Sequence, residues 1–134
     1  MRTRYITTDL DLEGPDDLSE IAHQLDRDLA VHFCGQVGRV FRATFGLLQR
    51  TSDESSDIDF LCELAEALDP AARALWDRCS RIEFNIGYEA GSEPRSWRSR
   101  ILTETLAQVS RLGGDLVVTI YSGELDRSTA AGDS

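Results

Sequence analysis

Residues 81–89 read Arg-Ile-Glu-Phe-Asn-Ile-Gly-Tyr-Glu. Ile82, Phe84, Ile86 and Tyr88 alternate with Arg81, Glu83, Asn85 and Glu89, the period of two of a strand with one face on a core and the other in water. A sheet built from such strands needs helices on one side only, which points to a two-layer arrangement. The flanking sequence supplies them. Upstream, Asp69-Pro70 is a cap followed by a residue suited to the first helical position, and it starts a helix with Ala72, Leu75, Trp76 and Cys79 on one face. Downstream, a Gly/Ser/Pro loop leads into a helix expected over 97–112, with Ile101, Leu102, Thr105, Leu106 and Val109 inward and Gly113-Gly114 as its stop. Residues 116–121 follow as a last strand.

The first half of the chain obeys the same grammar. Residues 4–12 alternate, with Ile6, Thr8, Leu10 and Leu12 on one face. Gly14-Pro15 is expected to open a helix whose stripe is Leu18, Ile21, Ala22 and Leu25, with Asp16 and Asp17 at the positive end of its dipole. Residues 29–34 and 39–47 form a hairpin joined through the glycine-bounded stretch 35–38, contributing Phe33, Phe41, Ala43, Phe45 and Leu47. Ser55 or Ser56 then caps a helix carrying Ile58, Leu61, Cys62, Ala65 and Leu68. The order is β-α-β-β-α-α-β-α-β. The expected fold is an α+β two-layer sandwich with a mostly antiparallel sheet and helices on one face. One domain is expected over 1–122, with a disordered tail rich in Ser, Ala, Gly and Asp over 123–134. In the expected core, Ile82, Phe84, Ile86, Leu116, Val118 and Ile120 pack beneath the helices bearing Leu61 and Leu106.

This plan, with its hairpin, acid-capped helix, Arg-Ile-Glu-Phe-Asn-Ile-Gly-Tyr strand and closing helix and strand ending Leu-Val-Val-Thr-Ile-Tyr, resembles uncharacterised bacterial domain-of-unknown-function proteins. The likeness covers about residues 29–122 in element order and spacing. It implies the fold and carries no catalytic motif to match residue by residue.

Composition narrows the chemistry. With 134 residues, 41% hydrophobic and 28% charged, the chain can bury a core without disulfides or metal. A net charge of −10 repels nucleic acid and anionic lipid and attracts basic surfaces. The N-terminus lacks the apolar run of a signal peptide, and no stretch is long and apolar enough to span a bilayer. Cys34, Cys62 and Cys79 form an odd set without C-x-x-C spacing, so reduced, structural thiols and a cytoplasmic location are expected. All basic residues are arginine, which excludes a Walker-type lysine and Schiff-base chemistry.

No catalytic motif emerges. Asp9-Leu10-Asp11 has the spacing of paired aspartates in aspartyl-phosphate chemistry, but that reaction needs a phosphate-binding cation and a parallel sheet that this element order does not build. His32 and Cys34 are expected to stand side by side along one strand face rather than meet as an activated pair. No metal or other cofactor is called for. What remains is surface: seven acids and no base between Asp53 and Asp69, and six acids and no base between Asp9 and Glu20. A solubilising coat is the plain reading of such runs. The sharper expectation is a protein-binding inhibitor, such as an immunity protein neutralising a basic toxin or an acidic mimic blocking a nucleic-acid-binding protein. Its contact residues would be Asp9, Asp11, Asp16, Asp17, Asp53, Glu54, Asp57, Asp59 and Glu63, with Trp97 and Arg98 as a second candidate anchor. Reversing Asp57, Asp59 and Glu63 would then slow association while leaving stability nearly unchanged. The competing expectation is a small enzyme or ligand-binding domain using a polar sheet face formed by Thr7, Asp9, Glu83, Asn85, Thr119 and Tyr121.

Overall fold

The structure, a computed structural model, describes residues 2–49, 53–93 and 95–122, so the expected tail over 123–134 lies outside the described residues. Its elements are β1 (Arg4–Gly14), α1 (Ser19–Leu25), β2 (Leu29–Val37), β3 (Val40–Leu47), α2 (Glu54–Glu66), α3 (Pro70–Asp77), β4 (Arg81–Ala90), α4 (Thr103–Arg111) and β5 (Asp115–Ser122). The five strands form one sheet in the order β2-β3-β1-β4-β5. Every neighbouring pair is antiparallel except β4 and β5, whose parallel pairing requires the long crossover that carries α4. The fold is α+β, as the alternation in β4 implies. None of the described helices is long and apolar enough to cross a membrane.

Alternation sorts the sheet into two faces. Leu10, Leu12, Ala43, Phe45, Ile82, Phe84 and Ile86 are buried beneath the helices with Ile21, Leu25, Ile58, Leu61, Trp76, Val109 and Leu112. Trp76 is fully enclosed, and its indole Nε1 donates to the Leu112 carbonyl at 2.9 Å, which joins the end of α4 to α3. On the opposite face, cross-strand pairs place Asp9 beside Asn85 and Asp11 beside Glu83. Among the described residues, no helix covers this open face.

Several boundaries differ from the expectation, each for a local reason. The hairpin strands run on to Val37 and resume at Val40, because Gly38, at φ 64°, supplies the left-handed first position of a two-residue turn. The helix expected from Pro15 starts at Ser19; Asp17 accepts the Ser19 N–H at 2.9 Å from outside it. The α2 cap is Asp53, which accepts from Ser56 N at 2.8 Å, rather than Ser55 or Ser56. α4 begins at Thr103, six residues late, because Leu102 N–H bonds the Ser55 hydroxyl at 3.0 Å and holds extended backbone. A register shift between Tyr5 and Thr7 breaks the alternation of β1 at Ile6, and the Tyr5 ring packs on the core.

The expected core needs one correction. Val118 and Ile120 are 57% and 66% exposed and Leu106 is 44% exposed, while Leu116 is half-buried. β5 is an edge strand on the rim of the helical layer, and the inward slots of α4 are taken by Thr105, Val109 and Leu112. A large difference in mutational cost follows along one face. Phe84→Ala is expected to lose about 3–5 kcal/mol by chemical denaturation, against less than about 1 kcal/mol for Ile120→Ala. Similar losses for the two would contradict this placement of the core.

Candidate functional site

Asp9, Asp11 and Glu13 lie on the open face of the sheet, whereas Asp16, Asp17 and Glu20, before and within α1, and the acids of α2 belong to the helical side, and their roles differ. On α2, Glu54, Asp57, Ile58, Leu61, Cys62 and Ala65 fall on one stripe and are all buried. The Glu54 carboxylate accepts from the Tyr88 hydroxyl at 2.8 Å and from the Ser99 hydroxyl at 2.6 Å. Asp57 accepts from the Tyr5 hydroxyl at 2.6 Å, and Tyr5 also meets Thr8 at 2.7 Å. Asp59 accepts from Thr105 and from Gln108, at 2.7 and 2.8 Å. Asp53 caps the helix; Glu63 is exposed. The first turn of α2 thus braces helix to sheet, with the helix dipole favouring carboxylates there. Burial, and the carboxylates they face, push the Tyr5 phenol above its usual range and the Tyr88 phenol up to about 12, so both remain protonated donors.

Of the remaining expected contact residues, Asp16 pairs with Arg78 at 2.5 Å and Asp17 with Ser19. Trp97 is 43% exposed, donates from Nε1 to Ser99 at 3.2 Å and sits edge-on to Tyr88 with ring centres 6.4 Å apart. Arg98 is exposed on the same segment. The expectation that Asp57, Asp59 and Glu63 could be reversed at no cost to stability is corrected: Asp57 is buried on a phenol, and Asp59 holds two donors of α4.

Asp9 and Asp11 stand apart from the rest. They lie two residues apart on the open face of β1, the central strand, and both are half-buried. The arginines of this face are engaged at its margins, Arg42 with Glu13 at 2.7 Å, Arg81 with Glu83 at 3.4 Å and Arg4 with Glu89 at 3.0 Å. Neither Asp9 nor Asp11 has an ion pair among the described residues. Burial raises both pKa values above the ordinary 3.8; His32 partly offsets this at Asp9, whereas at Asp11 the Asp9 and Glu83 charges add to it and a hydrogen bond from Asn85 and the Arg81 charge oppose it. Of the expected polar face of Thr7, Asp9, Glu83, Asn85, Thr119 and Tyr121, the register sets Asp9 opposite Asn85, Asp11 opposite Glu83 and Thr7 opposite Gly87, which the Tyr121 ring approaches, and the Thr119 hydroxyl donates to Asn85 at 2.8 Å.

His32 belongs to this face, which its sequence position alone did not show. A register shift between Val31 and Phe33 inserts it as a bulge, and its ring fills the space over Gly46, leaving no room for a Cβ there. Cys34, paired with buried Ala43, packs on the core side, so the two are not neighbours on one strand face. A glycine inside a strand otherwise rich in aromatic and β-branched residues was the available signal of close approach. Phe33 and Tyr121, 45% and 50% exposed, flank the acids from the two edge strands. No three His, Cys, Asp or Glu side chains among the described residues converge as a metal-binding set.

The chain matches no protein-family model, no curated protein and no solved structure. The order of its elements agrees with the plan noted from the sequence, and no family is named by it.

Asp57→Ala is expected to lose about 1.5–3 kcal/mol, the scale of a buried hydrogen bond to a charged group, and Glu63→Ala no more than about 0.5 kcal/mol by thermal or urea unfolding. The thiols make a second prediction. Burial pushes Cys62 up to about 12, Cys79 up to about 11 and Cys34 above its ordinary value, so alkylation of the native protein near neutral pH should be slow at all three until it unfolds. Rapid native labelling of any one would contradict that.

Proposed function

We propose that this chain is a protein-binding inhibitor that receives a basic partner on the open face of its sheet. The observation that carries the reading is the pair Asp9 and Asp11: half-buried carboxylates at the centre of an uncovered face, with the arginines of that face committed elsewhere. Desolvated anions without a direct ion pair cost stability in the free protein, where His32 and Arg81 offset only part of the burial, and an incoming arginine or lysine supplies the rest. Exposed Phe33 and Tyr121 at the flanks are of the type that anchors interfaces, and the −10 charge steers a basic partner toward the molecule. A basic toxin held inactive, or a nucleic-acid-binding protein blocked by acidic mimicry, fits this surface. The α2 acids support the reading only through net charge.

Asp9→Asn with Asp11→Asn is the direct test, because these side chains carry no buried brace. A carboxylate whose native pKa is raised makes the folded state bind protons first, so its contribution to stability falls as pH rises from the ordinary 3.8 through the raised value. At pH 7 the double variant should therefore be as stable as the parent or more so. Used as bait beside the parent, it should lose a basic partner by roughly tenfold or more in affinity, with a weaker salt dependence of the association rate. Equal retention by both baits, or a variant that melts well below the parent, would refute the assignment.

A further inference from the structure

On the helical side of the sheet, β4 and β5 continue beyond the cover of α4, and a groove of about 530 Å³ lies between them and the segment 95–101. Ile86, Leu116, Val118 and Ile120 form its floor, and Trp97 and Ile101 its wall. The wall is fixed by bonds already described: Trp97 donates to Ser99, Ser99 to Glu54, and Leu102 N–H to Ser55. The groove is therefore a built feature with a volume in the range of small-molecule sites, about 300–1,000 Å³.

Charge says what its occupant must be. In a chain of net charge −10, Arg4, Arg42, Arg73, Arg78, Arg81 and Arg111 are all in ion pairs. Arg95, which lines the groove, has no ion pair among the described residues; nor have Arg98 and Arg100 on the same exposed segment, or Arg2, Arg27 and Arg39, none of which lines the groove. At the inner end, Tyr88 and Ser99 separate the groove from the Glu54 carboxylate, which repels a second anion. An anionic head is thus favoured beside Arg95 and disfavoured at the inner end, while the apolar floor takes a hydrocarbon body.

We propose that this groove binds an anionic amphiphile: a carboxylate held by Arg95, with an alkyl or arylalkyl chain lying along Val118 and Ile120 against the Trp97 ring. The site is on the other side of the sheet from Asp9 and Asp11, and it stands or falls independently of the inhibitor reading.

Octanoate, octanol and octylamine serve as probes, titrated into the full chain with tryptophan fluorescence as readout. Trp76 is fully buried, so the response belongs to Trp97, and Trp97→Phe should abolish it. Octanoate is expected to give a saturable shift at or below about 1 mM, with octanol weaker and octylamine weakest. Arg95→Gln should weaken octanoate about fivefold, the upper scale of an exposed charge pair, and leave octanol unchanged. Val118→Asp, at an exposed position, should remove binding of both while the melting temperature holds. The proposal is overturned by equal affinity for octanoate and octylamine, by octanoate binding indifferent to Arg95→Gln, or by no saturable response. Sedimentation showing a dimer that Val118→Asp dissociates would also overturn it, because a second copy would then cover β5.

Discussion

Three carboxylates in the first half of α2 lock the helical layer together, two of them to the sheet and the third to α4. Glu54 reaches Tyr88 on β4 and Ser99 on the following segment, Asp57 reaches Tyr5 on β1, and Asp59 reaches Thr105 and Gln108 on α4. Apolar burial supplies most of the driving force for folding, but it is non-directional and would tolerate α2 sliding along its groove. Directional hydrogen bonds to two buried carboxylates, Glu54 and Asp57, and to half-buried Asp59 do not tolerate it. Each displaced by an ångström or two would lose donors that nothing else inside can replace. The bond from Ser99 to Glu54, with that from Leu102 N–H to the Ser55 hydroxyl, holds residues 99–102 out of a helix and so shapes the groove beside β5.

This use of charge separates acids that look alike in the sequence. Asp53 to Asp69 reads as a continuous acidic run, yet the members on the buried stripe serve the interior and only part of the run faces water. Asp9 and Asp11 belong to a strand of ordinary appearance and sit half-buried without an ion pair among the described residues. Net charge was legible from composition; the distinction between acids that brace the interior and acids on the open face without an ion pair among the described residues required knowing what stands opposite each one. One hint was present. Glu54 and Asp57 precede Ile58, Leu61 and Cys62 at helical spacing, which places them on the buried stripe.

The architecture was legible wherever a local pattern controls it. Alternation over 81–89 gives β4 its face, and Asp69-Pro70 gives α3 its start, because both depend on residues within a few positions. The start of α4 was not legible, since its delay comes from Ser55, nearly fifty residues away. Val118 and Ile120 illustrate another limit. Their period correctly assigns them to the helical face, but period says nothing about whether a helix extends far enough to cover that face, and here α4 does not. His32 was misjudged for a related reason: a bulge changes which face a residue occupies, and its companion Gly46 is fourteen positions on.

The two faces of the sheet therefore present different chemistries, an acidic open face centred on β1 and an apolar groove beside β5 lined by Arg95, which has no ion pair among the described residues. The proposed function rests on the first, specifically on Asp9 and Asp11 being desolvated and without an ion pair among the described residues. Carboxyl titration followed residue by residue, with carbon NMR of the aspartate side chains in the free protein, addresses that claim directly. Asp9 and Asp11 should titrate above 3.8, while Asp17 and Asp69, whose carboxylates accept local hydrogen bonds, should titrate below it. Values for Asp9 and Asp11 at or below 3.8 would mean that the chain already stabilises these charges itself, leaving no electrostatic vacancy for a basic partner to fill.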